Sequence, residues 1–261
     1  MDKQTIYQHF RSEETSIIDE LSSLMTQAAT EYRPILTEFL NPREVYIAQM
    51  LLNTEPDLKM KTDGLLQGAE RRRVLFYPEY YEPNETDFEL ALIWIKYPLK
   101  FATLKHSQIL GALTHIGLRR NLIGDIVTDG ERWQFVTAAS MVNFLKIQVE
   151  TIGKVRVHLE EITKAEIIIP IDEWQEIQIS VSSLRLDTLI AGVYNLSRKH
   201  VKDLLNSGKV VLNWMNTEKP DVEVAEHDIV SVRSYGRFRL NALQGVSKKG
   251  KIRVEADVLK K

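Results

Sequence analysis

Cysteine is absent from the 261 residues, which removes disulfides, zinc ribbons, iron–sulfur clusters and thiol nucleophiles together and suits a reducing compartment. No apolar run approaches the roughly 18 residues that a membrane span needs, and Met1-Asp2-Lys3-Gln4 lacks the basic-then-apolar pattern of an export signal. The expectation is a soluble, cytoplasmic chain with no membrane partner. Nucleotide-binding and hydrolytic signatures are missing too: there is no Walker loop, no GxGxxG and no GxSxG elbow. His9, His106, His115, His158, His200 and His227 are scattered without metal-ligand spacing. The neighbours His106 and Ser107 diverge by about 100° on a helix, which rules them out as a base–nucleophile pair. No metal, cofactor or small-molecule substrate is expected.

What is present is ordinary soluble composition, 44% apolar and 27% charged, with charge unevenly spread. From Arg185 to Lys261 there are 15 Lys and Arg against 9 Asp and Glu, a net of +6. The residues before Arg185 carry 19 against 27, a net of −8, so the overall −2 hides a basic C-terminal third. A polyanion-binding module joined to an acidic body has this footprint, as does a tail that is Lys-rich merely for solubility.

Periodicity places two helices first. Ser12 reads as the cap of one carrying Ile17, Ile18, Leu21, Leu24 and Met25, and Asn41-Pro42 starts another through Val45, Ile47, Ala48, Leu51 and Leu52. Asp63-Gly64 marks a turn, and Arg71-Arg72-Arg73 leads into the strand-like Val74–Tyr77. Those three arginines read as a solvated helix end or strand edge in preference to a nucleic-acid contact. From Pro78 the pattern is a strand (Phe88–Ile95), a helix (Lys105–Gly117), two strands (Leu122–Val127, Trp133–Val136), a helix (Ala138–Ile147) and a strand on Val155, Val157 and Leu159. This is the split βαβ order of RRM-like domains, without the aromatic Gly-Phe-Gly/Ala-Phe strand that stacks bases in a true RRM. Ile167-Ile168-Ile169 with Ile171 reads as a further strand interrupted by Pro170.

In the last third, Leu186, Leu189, Ile190 and Val193 fall on one helical face. Ser197 caps a second helix with apolar Val201, Leu204 and Leu205 and a stop at Gly208. Arg198, Lys199 and Lys202 cluster beside that apolar stripe, within about a third of the helix circumference. Short strands are expected at Lys209–Asn213, Val222–Val224 and Ile229–Arg233, with Glu226-His227-Asp228 turning between the last two.

These residues resemble the S4 RNA-binding domain. Arg185-Leu186-Asp187, Ser197-Arg198, Leu205, Ser207-Gly208-Lys209-Val210, Asn213, Lys219, Asp228–Arg233 and Gly236-Arg237 occur in the domain's order and spacing, whereas Val193-Tyr194 stands where many members are basic. The resemblance implies contacts to structured RNA from Arg185, Arg198, Lys199, Lys202, Lys209, Lys219, Arg233 and Arg237. Physically, a cationic helix face with few exposed aromatics suits duplex phosphates better than single-strand stacking. With His106–Leu113, Gly117, Arg119-Arg120 and Gly124-Asp125-Ile126, the whole chain is similar to the YlmH family. That likeness implies an α+β architecture: a mostly helical N-terminal domain over residues 1–77, an RRM-like domain over 78–165, and an S4 domain of the αL type over 181–261 with a short C-terminal strand extension. It also implies a non-enzymatic, ribosome-associated role on ribosomal RNA, and on tRNA, at the large subunit in rescue or quality control of stalled translation.

Two enzyme classes that carry S4 domains offer alternatives. Arg185-Leu186-Asp187 spells the catalytic tripeptide of pseudouridine synthases, but the 74 residues after Asp187 are too few for a synthase domain. Asp125 is the other nominee, and it reads better as a turn or core-edge carboxylate. His115-Ile116-Gly117-Leu118 and Val246-Ser247-Lys248-Lys249-Gly250 echo tyrosyl-tRNA synthetase motifs at the wrong places in the chain.

Overall fold

Helix α1 (Thr15–Glu31) buries Ile18, Leu21, Met25 and Ala28, the stripe expected from its 3.6-residue period. The computed structural model describes residues 10, 12–169, 174–247 and 250–260, which divide into two compact units, Met1–Ile171 and Asp172–Lys261. The cap of α1 differs from expectation. Ser12 lies in a 3₁₀ turn (Ser12–Glu14) and Glu14 takes the cap position, its carboxylate engaged at 2.8 Å by the buried guanidinium of Arg43.

Strand β1 (Ile35–Leu40) precedes α2 (Pro42–Leu52). Asn41 caps α2 through a capping box: its side chain accepts from Glu44 N at 3.0 Å, and Glu44 accepts from Asn41 N at 2.7 Å. Strands β2 (Leu58–Asp63) and β3 (Arg72–Pro78) complete an antiparallel sheet of order β1-β3-β2. The helical expectation for this region therefore lacked a sheet. β1 is only six residues with alternating burial, and β2 reads LKMKTD, too polar to signal a strand by composition.

After a 3₁₀ turn at Glu85–Phe88, where a strand was expected to have begun, come β4 (Leu90–Lys96), α3 (His106–His115), β5 (Ile123–Thr128) and β6 (Trp133–Ala138). Then follow α4 (Val142–Gln148), a small hairpin of β7 (Thr151–Ile152) and β8 (Val155–Arg156), and β9 (His158–Ile162). The four long strands form an antiparallel sheet of order β5-β6-β4-β9. Helices α3 and α4 cover one face through Ile109, Leu113, Val142 and Leu145 on Ile93, Ile95 and Phe135. The isoleucine run at 167–169 is not a strand. Ile168 is buried and donates its N–H to Gln134 Oε1 at 3.1 Å, whereas Ile169 is 86% exposed. Pro170 and Ile171 lie outside the described residues.

The other face of the four-stranded sheet is sealed. Leu92, Val136 and Ile162 pack against Phe39, Leu66 and Ala69 from the first 70 residues. Here the arginine run departs most from expectation: Arg71 and Arg73 are buried, not solvated. Arg71 donates from Nε to Ile123 O (3.2 Å) and from Nη2 to Phe39 O (2.9 Å), and Arg73 donates to Thr37 O (2.8 Å) and Phe88 O (3.0 Å). Asp125 accepts from Glu70 N at 2.7 Å and Arg71 N at 3.1 Å. Arg120 donates to Ile123 O at 2.6 Å. Burial, reinforced by neighbouring Arg71, pulls Arg120 down to about 10, and burial pushes the Asp125 carboxyl up against the pull of those hydrogen bonds and cations. Gly124 leaves no room for a side chain, since a Cβ there would sit 2.8 Å from the Phe39 ring.

The second unit starts with β10 (Gln175–Val181), α5 (Leu186–Tyr194) and α6 (Arg198–Asn206). It continues through β11 (Val210–Leu212), β12 (Met215–Asn216), β13 (Ile229–Val232), β14 (Gly236–Val246) and β15 (Ile252–Lys260). All six strands join one antiparallel sheet, β10-β15-β14-β13-β11-β12, of which the sequence reading held only fragments. The expected strand at Val222–Val224 is instead an extended segment that caps α5: Val222 O accepts from Leu186 N at 2.8 Å, and the strand pairing is limited to an Arg185–Glu223 bridge. Both helices pack on one sheet face, where Leu186, Leu189, Ile190, Val201 and Leu205 meet Val210, Val230, Phe238 and Val258. Tyr194 packs into this core beside Tyr235 and Phe238, with ring centroids 5.6 and 6.1 Å away. Its buried hydroxyl has no hydrogen-bond partner among the described residues, and burial holds its pKa above the usual phenol value.

Two outcomes are expected from stability measurements. Asp125→Asn keeps the side chain's shape but removes a counter-charge that Arg71 and Arg120 share, so denaturant unfolding of the first unit should lose about 3 kcal/mol. Tyr194→Phe deletes an unsatisfied hydroxyl and should hold or raise stability, by about 1 kcal/mol. A loss of that size would show that the hydroxyl has a partner.

Candidate nucleic-acid interface

The site is built around one carboxylate. Asp187 sits in the first turn of α5, where a negative charge complements the helix dipole. Its side chain is buried, and Arg185 reaches it in bidentate fashion, Nε to Oδ1 at 3.1 Å and Nη2 to Oδ2 at 3.2 Å. Thr188 Oγ1 donates to Asp187 Oδ1 at 3.3 Å and accepts from Arg198 Nη2 at 3.2 Å. One buried carboxylate thus fixes two arginines, Arg185 directly and Arg198 through a hydroxyl. Burial alone would raise the Asp187 carboxyl; the hydrogen bond and charge of Arg185, with help from Thr188 and Arg198, outweigh it and hold the group below the ordinary carboxylate value. The same hydrogen bond raises Arg185. From the sequence, Asp187 was part of the Arg185-Leu186-Asp187 motif and a catalytic nominee, not an RNA-site residue. Its pairing two residues from an arginine was legible, but its burial was not.

Ser197 caps α6 by accepting from His200 N at 3.2 Å. Val201, Leu204 and Leu205 point to the core, while Arg198, Lys199 and Lys202 remain exposed on the adjoining arc, as the helical spacing predicted. Arg185, Arg198, Lys199 and Lys202 converge on a single depression of about 500 Å³, with Asp187 at its base. Four cations around one recess can hold phosphate oxygens, the two arginines as planar forks and the lysines as mobile point charges.

The other four predicted residues do not join it. Lys209, Arg233 and Arg237 line a second depression, formed by β11, β13, β14 and β15, and Lys219 is exposed apart from both. Sequence reasoning missed Trp174, whose ring carries the guanidinium carbons of Arg237 and Arg239 at 5.0 and 4.8 Å. A lone tryptophan before a polar strand gave no signal.

The enzyme nominees occupy structural positions. Asp187 is paired with Arg185, and Asp125 is buried on two backbone amides. Ile116 leans on the core of the four-stranded sheet. Val246 ends β14 and pairs with Ile252, and just beyond it Gly250 N donates to Ser247 O at 2.9 Å; Lys248 and Lys249 lie outside the described residues. No helix among the described residues is long and apolar enough to cross a membrane.

Comparison with known proteins adds the lineage. Residues 13–81 match the family model described as "YlmH, N-terminal", and residues 83–166 match "Putative RNA-binding domain in YlmH". The chain is 38% identical over 249 residues to the "Ribosome-associated protein quality control protein P2" of Bacillus subtilis (strain 168), covering 95% of this chain and 96% of that one. Among solved structures, "Cell division protein ylmH from Streptococcus pneumoniae" is 33% identical with a TM-score of 0.55, covering 62% of this chain and 98% of that one. Matched to the B. subtilis relative at 38% identity with near-complete mutual coverage, the chain belongs to the YlmH family.

Proposed function

We propose that this protein is a non-catalytic RNA-binding factor whose C-terminal unit, an S4 domain, docks on structured ribosomal RNA or tRNA at the large ribosomal subunit, in rescue or quality control of stalled translation. The convergence of Arg185, Arg198, Lys199 and Lys202 on one depression, two of them anchored on Asp187, carries the reading. The B. subtilis relative's name supports the ribosomal setting. The S4 assignment draws support from the two helices packed on an antiparallel sheet, and the RRM-like assignment of 78–165 from the strand order β5-β6-β4-β9. Duplex RNA presents phosphates and 2′-hydroxyls rather than readable base edges, which fits a cationic recess better than an aromatic platform.

The match of residues 83–166 to an RNA-binding family model favours a second contact from the middle region. That contact would have to avoid the surface RRMs use. The sheet face opposite the helices is filled by Phe39, Leu66 and Ala69 and has no open stacking platform at Leu92 and Val136. An RNA-modifying, pseudouridine synthase-like enzyme is the reading the site supports less, because Asp187 is engaged by Arg185. An assay for uridine isomerisation on ribosomal RNA fragments should give no product.

Binding to purified large subunits should weaken with salt at a log–log slope of about four to six if that many phosphates are held; a flat response would sink the cationic recess. Changing Arg198, Lys199 and Lys202 together to Ala should leave stability within about 0.5 kcal/mol per site, since all three are exposed. It should cut binding strongly and flatten the slope by up to about three. Leu205→Ala, fully buried, should instead cost about 2–5 kcal/mol and lose binding only through unfolding. A fragment spanning the second unit should keep most nonspecific RNA affinity, and one ending near Ile169 should bind weakly. Tight binding by the latter would shift the functional centre to the middle region.

A further inference from the structure

The face of the C-terminal sheet turned away from α5 and α6 holds a second recess. Strand residues alternate faces, and Val210, Val230, Val232, Phe238 and Val258 point into the helix-covered core. Val211, Ser231, Arg237 and Leu259 therefore point to the opposite side. The strand register sets them in one row: Val211 pairs with Ser231, Ser231 with Arg237, and Arg237 with Leu259. Lys209 and Arg233 flank that row, tied together by Arg233 N donating to Lys209 O at 2.9 Å. Ser234, at φ 76°, turns the chain into β14 at the same end.

The resulting recess measures about 500 Å³, in the range of small-ligand sites. Its floor is apolar, from Val211 and Leu259, with the Ser231 hydroxyl between them. Its rim carries Lys209, Arg233 and Arg237, and the described residues that line it include no carboxylate. Arg237 is stacked on the Trp174 ring, which holds the guanidinium plane on this open face. Such a composition differs from that of the helix-side depression, whose lining residues are all charged.

We propose that this recess takes one unpaired, unstacked nucleotide of a bound RNA. The apolar floor receives the base, the hydroxyl of Ser231 meets its polar edge, and the three rim cations hold the flanking phosphates. A base within a duplex offers no free π-face to such a floor, whereas a flipped or terminal base does. The three rim cations on an apolar floor complement a nucleotide's phosphates and planar base together, while an acidic peptide would match the cations alone. The inference rests on the RNA-binding reading above and adds the class of RNA: a duplex next to a single-stranded end or bulge, held on both faces of the unit.

The test uses the full chain and two hairpin probes, one blunt and one extended by three unpaired nucleotides carrying a 4-thiouridine. The extension should tighten wild-type binding about tenfold, the scale of one stacked base, and photocrosslinks should map to residues 208–211 or 231–237. In Ser231→Glu, which sets a carboxylate among the three cations, the difference between the probes should vanish while the melting temperature holds. Equal affinity for both wild-type probes, or crosslinks confined to other peptides, would overturn the proposal and leave the helix-side reading standing. Failure of both probes to bind would instead strike the parent reading. Displacement of the crosslink by an acidic peptide but not by unlabelled extended hairpin would reassign the recess to a protein partner and also overturn it.

Discussion

A guanidinium group can be buried only if its N–H donors find acceptors and its charge finds company, and the first unit is organised by that requirement. Arg71, just before β3, and Arg73 within it lie between two sheets, and their donors end on main-chain carbonyls of β1, β5 and the turn before β4. Glu44 and Asp125 supply opposing charge to Arg71 and Glu89 supplies it to Arg73, while Asp125 also fastens the backbone at Glu70 and Arg71. A small acidic side chain accepting two amides therefore sets how closely the strand bearing it approaches the chain entering β3. Phe39 can then press on Gly124 at a distance no other residue at position 124 would permit. Replacing such a cluster with apolar residues often costs little, but removing one member leaves the rest charged and unpaired. The cluster thus demands all its members together and specifies a single arrangement of the two sheets.

The same logic recurs at smaller scale in the second unit, with the emphasis reversed. Asp187 is buried so that two arginines can be exposed in fixed orientation. Long basic side chains lose rotamer freedom when they grip a ligand, and an arginine already held by a carboxylate or a threonine has surrendered part of that freedom in the free protein. Lys199 and Lys202 have no such tether among the hydrogen bonds described, so the recess combines two preset forks with two adaptable charges.

Much of this was legible in the sequence where local physics decides. The α1 stripe, the Asn41 capping box, the Ser197 cap and the exposed arc of Arg198, Lys199 and Lys202 followed from spacing and side-chain chemistry, because each is settled within one or two turns of chain. What was not legible depends on partners far away in sequence. Arg71 and Arg73 looked solvated because their acceptors lie 15 to 52 residues distant. β10 escaped notice because its exposed face is polar and its partner lies at the other end of the unit. Of the eight residues singled out, spacing grouped three on α6 correctly. It could not separate the helix-side recess from the sheet-side one, since that division follows from register across four strands.

The position of β15 has a consequence for how the second unit forms. That strand lies between β10 and β14, so it holds the sheet's first strand in place as well as closing a hairpin. Among the described residues β10 pairs with no other strand, and its pairings run from Val181–Ile252 to Gln175–Val258, loops of about seventy residues or more whose closure entropy must be met before any of those bonds forms. The helices and the β13–β14–β15 meander can assemble through short-range contacts, and β10 touches α5 at Gly192, but its strand hydrogen bonds, and with them Trp174 above Arg237 and Arg239, need a β15 already in place. The stacked arginines of the open face are therefore among the last features to mature, and a chain interrupted before Ile252 would carry the helix-side cations without the completed sheet behind them.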